Sequence, residues 1–313
     1  MISVDVELEI GSLRHILGKK CVRYSLRHSI PLGVDFSAQH AYNSRTQLRM
    51  EDAMIIDTHT HLGSTALRAT ATELIASMDE TGIERSLVFA GTINGCTNLE
   101  LLRQVSQYPG RLLAVAAVSP LMASRPTVGE INYWLVHKAI WGLKFYPGYE
   151  HFYPAHKILR PYLQKVEEYG KPAIFHSGDL FNKVGGSLLK YALPIHIDEL
   201  AVEMPNLKIV IAHMGYPWII DAAQVCYKNP NVFADLSGLA YGKFTEHDKE
   251  NFRHCFREFR RICPDPSKLL FGTDWPITDP ADCVDLVISL AGGDMRAIMH
   301  ENAVRIFGIE DAA

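Results

Sequence analysis

The sequence predicts a (β/α)8 barrel that begins near residue 54 and occupies most of the 313 residues. From residue 54 onward, short apolar and β-branched segments alternate with longer amphipathic ones. Eight such units occupy about 260 residues, close to the length of a typical α/β barrel. The apolar segments are nearly continuous, as expected of parallel strands buried on both faces. No GxGxxG sequence follows an early strand, so a dinucleotide-binding open sheet is disfavoured.

The predicted strands are, in order, 54–61, 85–91, 112–120, 142–148, 172–178, 208–215, 232–238 and 268–276. Amphipathic, helix-like segments lie between them at 72–81, 155–169, 197–204, 218–227 and 246–262. Two further segments, 281–290 and 295–307, follow the last strand and are predicted to close the barrel. Strands that alternate with helices in this way form a parallel sheet, because each helix returns the chain to the same end of the sheet.

Residues 1–53 differ from the rest of the chain. Between Gly11 and Met50 there are seven Lys or Arg residues and a single acid, Asp35, without a sustained helical or strand period. The segment could be an unusual targeting sequence, a loosely packed extension, or translated sequence upstream of a start at Met54. We expect a peripheral N-terminal extension (1–53) without a catalytic role, followed by a catalytic barrel (54–313).

Composition excludes several classes of protein. The formal net charge of −4 and the charged fraction of 21% do not suggest nucleic acid as a partner. No apolar segment approaches the ~20 residues needed to span a bilayer, so no membrane association is expected. The six cysteines are scattered without a CxxC pair, which favours reduced thiols and a cytoplasmic location. The expected partner is a small-molecule substrate, and a homodimer is an open alternative.

Polar residues interrupt the predicted strands, mostly near their carboxyl ends, where a barrel builds its active site. They are His59, His61, Lys144, His176, His213 and Asp274. His59 and His61 are two residues apart, so both side chains point to the same face of a strand. A single histidine such as His213 is more often a hydrogen-bonded core residue than a ligand. The joint occurrence of imidazoles and a carboxylate at one end of several strands favours a metal site.

The segments that carry these residues resemble the amidohydrolase superfamily, and specifically its amidohydrolase-related group of metal-dependent hydrolases and decarboxylases. The similarity runs from Met54 to about Ile309 and rests on IIDTHTHLG, GLKFYPGY, PAIFHSG, IVIAHMGYPW, NVFADLSG, LLFGTDWP and HENAVRIFGI. The resemblance implies that one divalent ion, most often zinc but alternatively Mn, Fe, Co or Mg, is bound by His59, His61, His176 and Asp274.

The resemblance leaves the roles of two residues open. His213 would be a proton donor, an electrostatic clamp on the substrate, or a ligand to a second ion. Lys144 would be a carboxylated bridge between two ions or, as we favour, an unmodified cation that binds a substrate anion or offsets the carboxylates.

The predicted reaction is hydrolysis of a C–N or C–O acyl bond in a small, cyclic or carboxylated molecule, with Asp274 taking the proton of the attacking water. Non-oxidative decarboxylation of an aromatic or conjugated acid is the alternative, because the same ligands serve both reactions. A non-catalytic barrel is the third reading. Aromatic residues beyond the strand ends favour a cyclic substrate: Tyr146, Tyr149, Phe152, Tyr153, Trp218, Tyr241 and Trp275. Lys183 and Lys190 could meet a substrate carboxylate, although lysines on long loops are usually solvated.

Overall fold

The structure is a computed structural model that describes residues 54–63, 69–91, 95–181 and 184–310. The predicted N-terminal extension lies outside the described residues, so its peripheral role stays a prediction. Eight strands form one sheet in the order of the sequence, and every neighbouring pair is parallel. They are β1 (Ile55–His61), β2 (Ile83–Phe89), β3 (Leu112–Ala117), β4 (Leu143–Phe145), β5 (Ala173–Phe175), β6 (Ile209–Ile211), β7 (Val232–Asp235) and β8 (Leu269–Leu270).

Backbone hydrogen bonds between the chain after β8 and β1 close the sheet into a barrel. Thr58 N donates to Phe271 O at 2.9 Å, Asp274 N to His59 O at 2.8 Å, and His61 N to Trp275 O at 2.8 Å. The predicted (β/α)8 barrel is therefore confirmed. Because this closure runs through the residues around His59 and Asp274, the fold itself brings the first and last predicted ligands together.

Helices surround the strands. They are α1 (Ala71–Thr81), α2 (Asn98–Val105), α3 (Val128–Val136), α4 (Arg160–Glu168), α5 (Leu189–Ala192), α6 (Ile197–Glu203), α7 (Ile219–Lys228), α8 (Glu246–Ile262), α9 (Pro280–Ala291) and α10 (Asn302–Phe307). Helices α1, α3 and α8 begin with capping boxes at Thr70, Thr127 and Thr245, which satisfy backbone N–H groups that a helix start leaves without partners. Among the described residues, no helix is long and apolar enough to cross a membrane.

The interior of the barrel is filled by inward side chains of the strands, among them Ile56, Phe89, Ile174 and Phe233. Phe307 of α10 belongs to the same buried cluster, so the last helix plugs the barrel. Two lysines that precede β5 and β6 fix this plug: Lys171 Nζ donates to Phe307 O at 2.6 Å, and Lys208 Nζ to the carbonyls of Arg305 and Ile306. The plug therefore closes the amino ends of the strands and leaves the carboxyl ends for the site.

The structure differs from the sequence predictions mainly in the lengths of elements. The predicted strand 268–276 is paired only over Leu269–Leu270, because the chain then leaves the sheet to form the loop that carries Asp274. The predicted strand 112–120 likewise ends at Ala117. Helices α2, α3 and α5 are not among the segments predicted from the sequence.

Candidate metal centre

The side chains predicted for the site lie at the carboxyl end of the barrel, on or just after five different strands. His59 and His61 belong to β1 and Lys144 to β4. His176, His213 and Asp274 follow β5, β6 and β8. Ile56 also faces the barrel interior. This is unexpected, because Ile56 and His59 are three residues apart and would point to opposite faces of a regular strand. A shift in the β1–β2 register between Asp57 and Thr60 accounts for this, because it breaks strict alternation and lets both histidines face inward.

Three of the predicted ligands converge on one point. Asp274 Oδ1 lies 3.1 Å from His61 Nε2 and 3.6 Å from His59 Nε2. One ligand atom of each residue lies within 4.8 Å of the other two, and all three residues are buried. Asp274 Oδ1 is buried but makes no hydrogen bond. A buried carboxylate oxygen that faces two imidazole nitrogens fits a divalent ion, since N and O donors of this kind bind Zn²⁺ at about 2.0–2.2 Å.

His176 lies outside the cluster formed by the other three predicted ligands. It belongs to neither of the groups of potential ligands found within the described residues. Its ring centroid lies 5.0 Å from that of His213, and its Nε2 donates to the carbonyl of Asp179 at 2.8 Å. Nδ1 is therefore the nitrogen that keeps a lone pair. Burial lowers the pKa of His176 to about 3, so the ring is neutral. Its role as a ligand, through Nδ1, stays a prediction.

Lys144 lies directly against this cluster. Its ammonium group is fully buried, 3.3 Å from His59 Nε2 and 4.8 Å from the centroid of the Phe89 ring. Burial lowers the pKa of Lys144 to about 8, while the nearby carboxylates of Asp235 and Asp274 act in the opposite direction. Whether Lys144 binds a substrate anion or bridges two ions stays a prediction.

The sequence analysis missed Asp235, the last residue of β7. Its Oδ2 accepts a hydrogen bond from His59 Nδ1 at 2.8 Å. Its Oδ1 accepts from the backbone N of His213 at 2.9 Å and from Ser237 Oγ at 2.5 Å. A carboxylate behind a metal-binding histidine fixes the ring's tautomer and orientation, so that Nε2 keeps its lone pair for the ion. The sequence does contain a signal for this residue: Asp235 is a polar residue directly after the apolar residues of a strand, as His176 is.

Ser237 links His213 to the same carboxylate and fixes the tautomer of His213. The Ser237 hydroxyl donates its only proton to Asp235, so it accepts from His213 Nδ1, 2.9 Å away. Nε2 of His213 is consequently the nitrogen without a proton. Desolvation by the surrounding protein lowers the pKa of His213 well below its usual value, which keeps the ring neutral. His213 can therefore accept a proton or bind a metal ion, and it donates from Nε2 only after gaining a proton.

The position of these potential ligands on a barrel is consistent with the resemblance found in the sequence. A family model described as amidohydrolase matches residues 56–309. The chain belongs to the amidohydrolase family. Among curated proteins, protein fluG of Emericella nidulans is 29% identical over 165 residues, which are 52% of this chain and 16% of that protein. The chain thus corresponds to a small part of that relative.

Several solved structures share the fold of this chain. A probable 2-pyrone-4,6-dicarboxylic acid hydrolase from Acinetobacter baumannii has a TM-score of 0.62 and 20% identity, over 82% of this chain and 99% of that one. The 5-carboxyvanillate decarboxylase of Sphingomonas paucimobilis has a TM-score of 0.61 and 15% identity, over 83% and 100% of the two chains. The 5-carboxyvanillate decarboxylase of Novosphingobium aromaticivorans, complexed with manganese, has a TM-score of 0.62 and 13% identity, over 83% and 97%. Both hydrolases and decarboxylases are thus found on this fold.

The backbone of this site has an unusual conformation at two loop residues. His213 and Asp274 adopt positive φ angles of 60° and 67°, a conformation that costs a non-glycine residue of order 1–3 kcal/mol and is found mainly at functional sites. Gly238, at φ 66°, lies against both. A Cβ atom there would be 2.5 Å from His213 Nδ1 and 2.9 Å from Asp274 Oδ2. Only glycine leaves room for both side chains.

Asp57 braces the first ligand strand against the last loop. Its carboxylate accepts hydrogen bonds from His59 N at 3.0 Å, from Thr273 N at 3.1 Å and from Thr273 Oγ1 at 2.6 Å. Burial raises the pKa of Asp57 to about 7, against the effect of these hydrogen bonds. This buried carboxylate thus fixes the chain on either side of the point where His59 and Asp274 meet.

A cavity of about 60 Å³ leads to the centre. Its polar wall includes His176, His213 and Asp274, and its outer part includes Asp179. The aromatic residues that line it are Tyr149, Phe181, Tyr216 and Tyr241. Of the aromatic residues proposed from the sequence, Tyr149 and Tyr241 thus reach the cavity, whereas Tyr146 and Phe152 are buried and do not line it. The site is small and has aromatic walls.

Proposed function

We propose that this amidohydrolase binds one divalent ion through His59, His61, His176 and Asp274 and hydrolyses an acyl C–N or C–O bond in a small cyclic molecule. The observation that carries the proposal is the buried Oδ1 of Asp274, which makes no hydrogen bond and faces Nε2 of His59 and His61. A buried carboxylate oxygen without a hydrogen bond is costly, and an ion at this point would offset that cost. Zinc is the proposed metal, because imidazole and carboxylate suit it.

An ion bound here would lower the pKa of a bound water from 15.7 towards about 7. The carboxylate of Asp274 is the group that takes the proton of that water. His213 Nε2, which has no proton at the start, can take a proton from Asp274 or from the substrate and return it to the leaving group. The aromatic walls provide a surface against which a ring of the substrate can pack. Unmodified Lys144 offsets the negative charge of Asp235 and Asp274.

The second candidate function is non-oxidative decarboxylation, and one feature of the site favours it. Lys144 is a buried cation beside the proposed ligands, 3.3 Å from His59 Nε2. Although Lys144 does not line the cavity, its charge favours an anion bound at the centre, such as the carboxylate that an aromatic acid would lose. Hydrolysis is preferred here because Asp274 and His213 both present acceptors for a proton, as activation of water requires.

A panel of substrates separates the two reactions. Protein loaded with Zn²⁺ or Mn²⁺ is assayed with lactones, cyclic amides and hydroxybenzoates, while base uptake and CO₂ release are recorded together. We expect base uptake with a lactone or cyclic amide, and none with the Asp274→Asn variant. Release of CO₂ from a hydroxybenzoate without base uptake would assign the decarboxylase instead. Absence of both from the metal-loaded protein would favour a non-catalytic barrel.

A further inference from the structure

The outer part of the cavity carries a negative charge that the proposed chemistry does not use. Asp179 lines the same cavity as Asp274, but it follows β5 and has an exposed side chain. Its backbone is held at both ends, since its N donates to Tyr216 O at 2.6 Å and its carbonyl accepts from His176 Nε2 at 2.8 Å. Its Oδ1 accepts from Leu180 N at 2.8 Å. The carboxylate is thus fixed at the entrance, unlike a mobile surface charge.

No opposite charge lines the cavity within the parts of the chain that the structure describes. The lining contains two carboxylates, those of Asp179 and Asp274, and neither lysine nor arginine. Lys190 does not line it, and its Nζ lies 4.8 Å from the centroid of the Tyr191 ring. Lys183 lies outside the described residues. The proposed ion would offset the negative charge of Asp274 and its neighbours. The charge of Asp179 would then be the one that an incoming substrate meets.

The remaining polar groups of the outer cavity are phenols. Tyr149 accepts a hydrogen bond from Phe181 N at 2.8 Å, so its own proton is free for a ligand. Burial raises the pKa of Tyr241, and the charges of Asp179 and Asp274 raise it further, so this phenol stays protonated. These hydroxyls can donate to a ligand, whereas Asp179 is the charged acceptor that the outer lining offers to a donor group of the ligand.

On the basis of the proposed function, we propose that Asp179 determines specificity for substrates that carry an amino group at the end away from the metal. The reacting carbonyl lies at the centre formed by His59, His61 and Asp274, the ring lies between the aromatic walls, and the ammonium group lies near Asp179. A ring with a carboxylate in place of the ammonium group is disfavoured by repulsion at the entrance.

The test uses three hydroxamates that share one ring and carry a cationic, no, or an anionic group at the para position. They are 4-(aminomethyl)benzohydroxamic acid, benzohydroxamic acid and 4-carboxybenzohydroxamic acid, whose hydroxamate groups chelate the ion. Their dissociation constants for the zinc-loaded protein are measured by calorimetry at low salt. We expect the aminomethyl compound to bind about five times more tightly than the carboxy compound, as for a partly exposed ion pair. The preference should shrink at about 0.5 M salt, because the charge is exposed.

Two variants assign this preference to one residue. Asp179→Asn removes the charge while Oδ1 can still accept from Leu180 N, and it should make the three inhibitors bind about equally. Asp221→Asn, an equal change of charge at an exposed position outside the cavity, should keep the wild-type order. Tighter binding of the carboxy compound, or an order unchanged in Asp179→Asn, would overturn the role of Asp179 alone. Failure of all three hydroxamates to bind would instead overturn the metal centre, and this inference with it.

Discussion

Replacing Asp274 with asparagine is expected to slow turnover by about 10³-fold, within the range that loss of a general base produces. The amide cannot take the proton of the attacking water, and it is a weaker donor to an ion than a carboxylate. The fold should be kept, because asparagine tolerates the φ of 67° found at this position better than most residues. The measurement is kcat with the substrate found in the panel, at saturating metal.

The stability of the metal-free Asp274→Asn protein provides the control for this result. Asp274→Asn removes a buried charge without a hydrogen bond on Oδ1, but it also removes the attraction of that charge to Lys144. Because these two effects oppose each other, the free energy of unfolding of the apoprotein should change little. Asp221→Asn, the same exchange at an exposed position, should leave kcat unchanged. Wild-type kcat in Asp274→Asn would remove this residue from the mechanism.

Replacing Asp235 with asparagine should weaken metal binding by about 10- to 100-fold, as other losses of a carboxylate behind a metal-binding histidine do. The wild-type carboxylate accepts from His59 Nδ1 on one oxygen and from His213 N and Ser237 on the other. An amide has one acceptor oxygen, so in either orientation its NH₂ group faces a donor. His59 then loses the partner that fixes its tautomer. The affinity is measured by competition for zinc with a chromogenic chelator.

Ser237→Ala is the matched comparison for Asp235→Asn. It removes a hydroxyl that contacts Asp235, His213 and, at 3.0 Å, His59 Nδ1, but it leaves the hydrogen bond from His59 to Asp235 in place. Its effect on zinc affinity should therefore be smaller than that of Asp235→Asn. Equal affinities of wild type and Asp235→Asn would contradict the orienting role of this carboxylate.

The barrel and the ends of its strands were predictable because strands buried on both faces are nearly continuous apolar segments in the sequence. A polar residue such as His59 at the end of an apolar segment is costly unless it has a function, so each such position is informative. Asp235 had the same signal. Its role was missed because the orientation of a carboxylate toward a ring nitrogen depends on strands that lie far apart in sequence.

Other features depend on tertiary geometry that no local pattern encodes. The positive φ of Asp274 follows from the loop that closes the barrel, where its N donates to His59 O. The tautomer of His213 follows from the single proton of Ser237. The hydrogen bond of His176 to Asp179 leaves Nδ1 as the candidate ligand atom, whereas the sequence could suggest only the residue.

The most direct test is a crystal structure of the zinc-loaded protein with anomalous diffraction recorded at the zinc absorption edge. A single peak is expected about 2.0–2.2 Å from Nε2 of His59, Nε2 of His61, Nδ1 of His176 and Oδ1 of Asp274. A protein that shows no peak, or a peak bound by His213 and Asp235 with His61 left uncoordinated, would contradict the proposed centre.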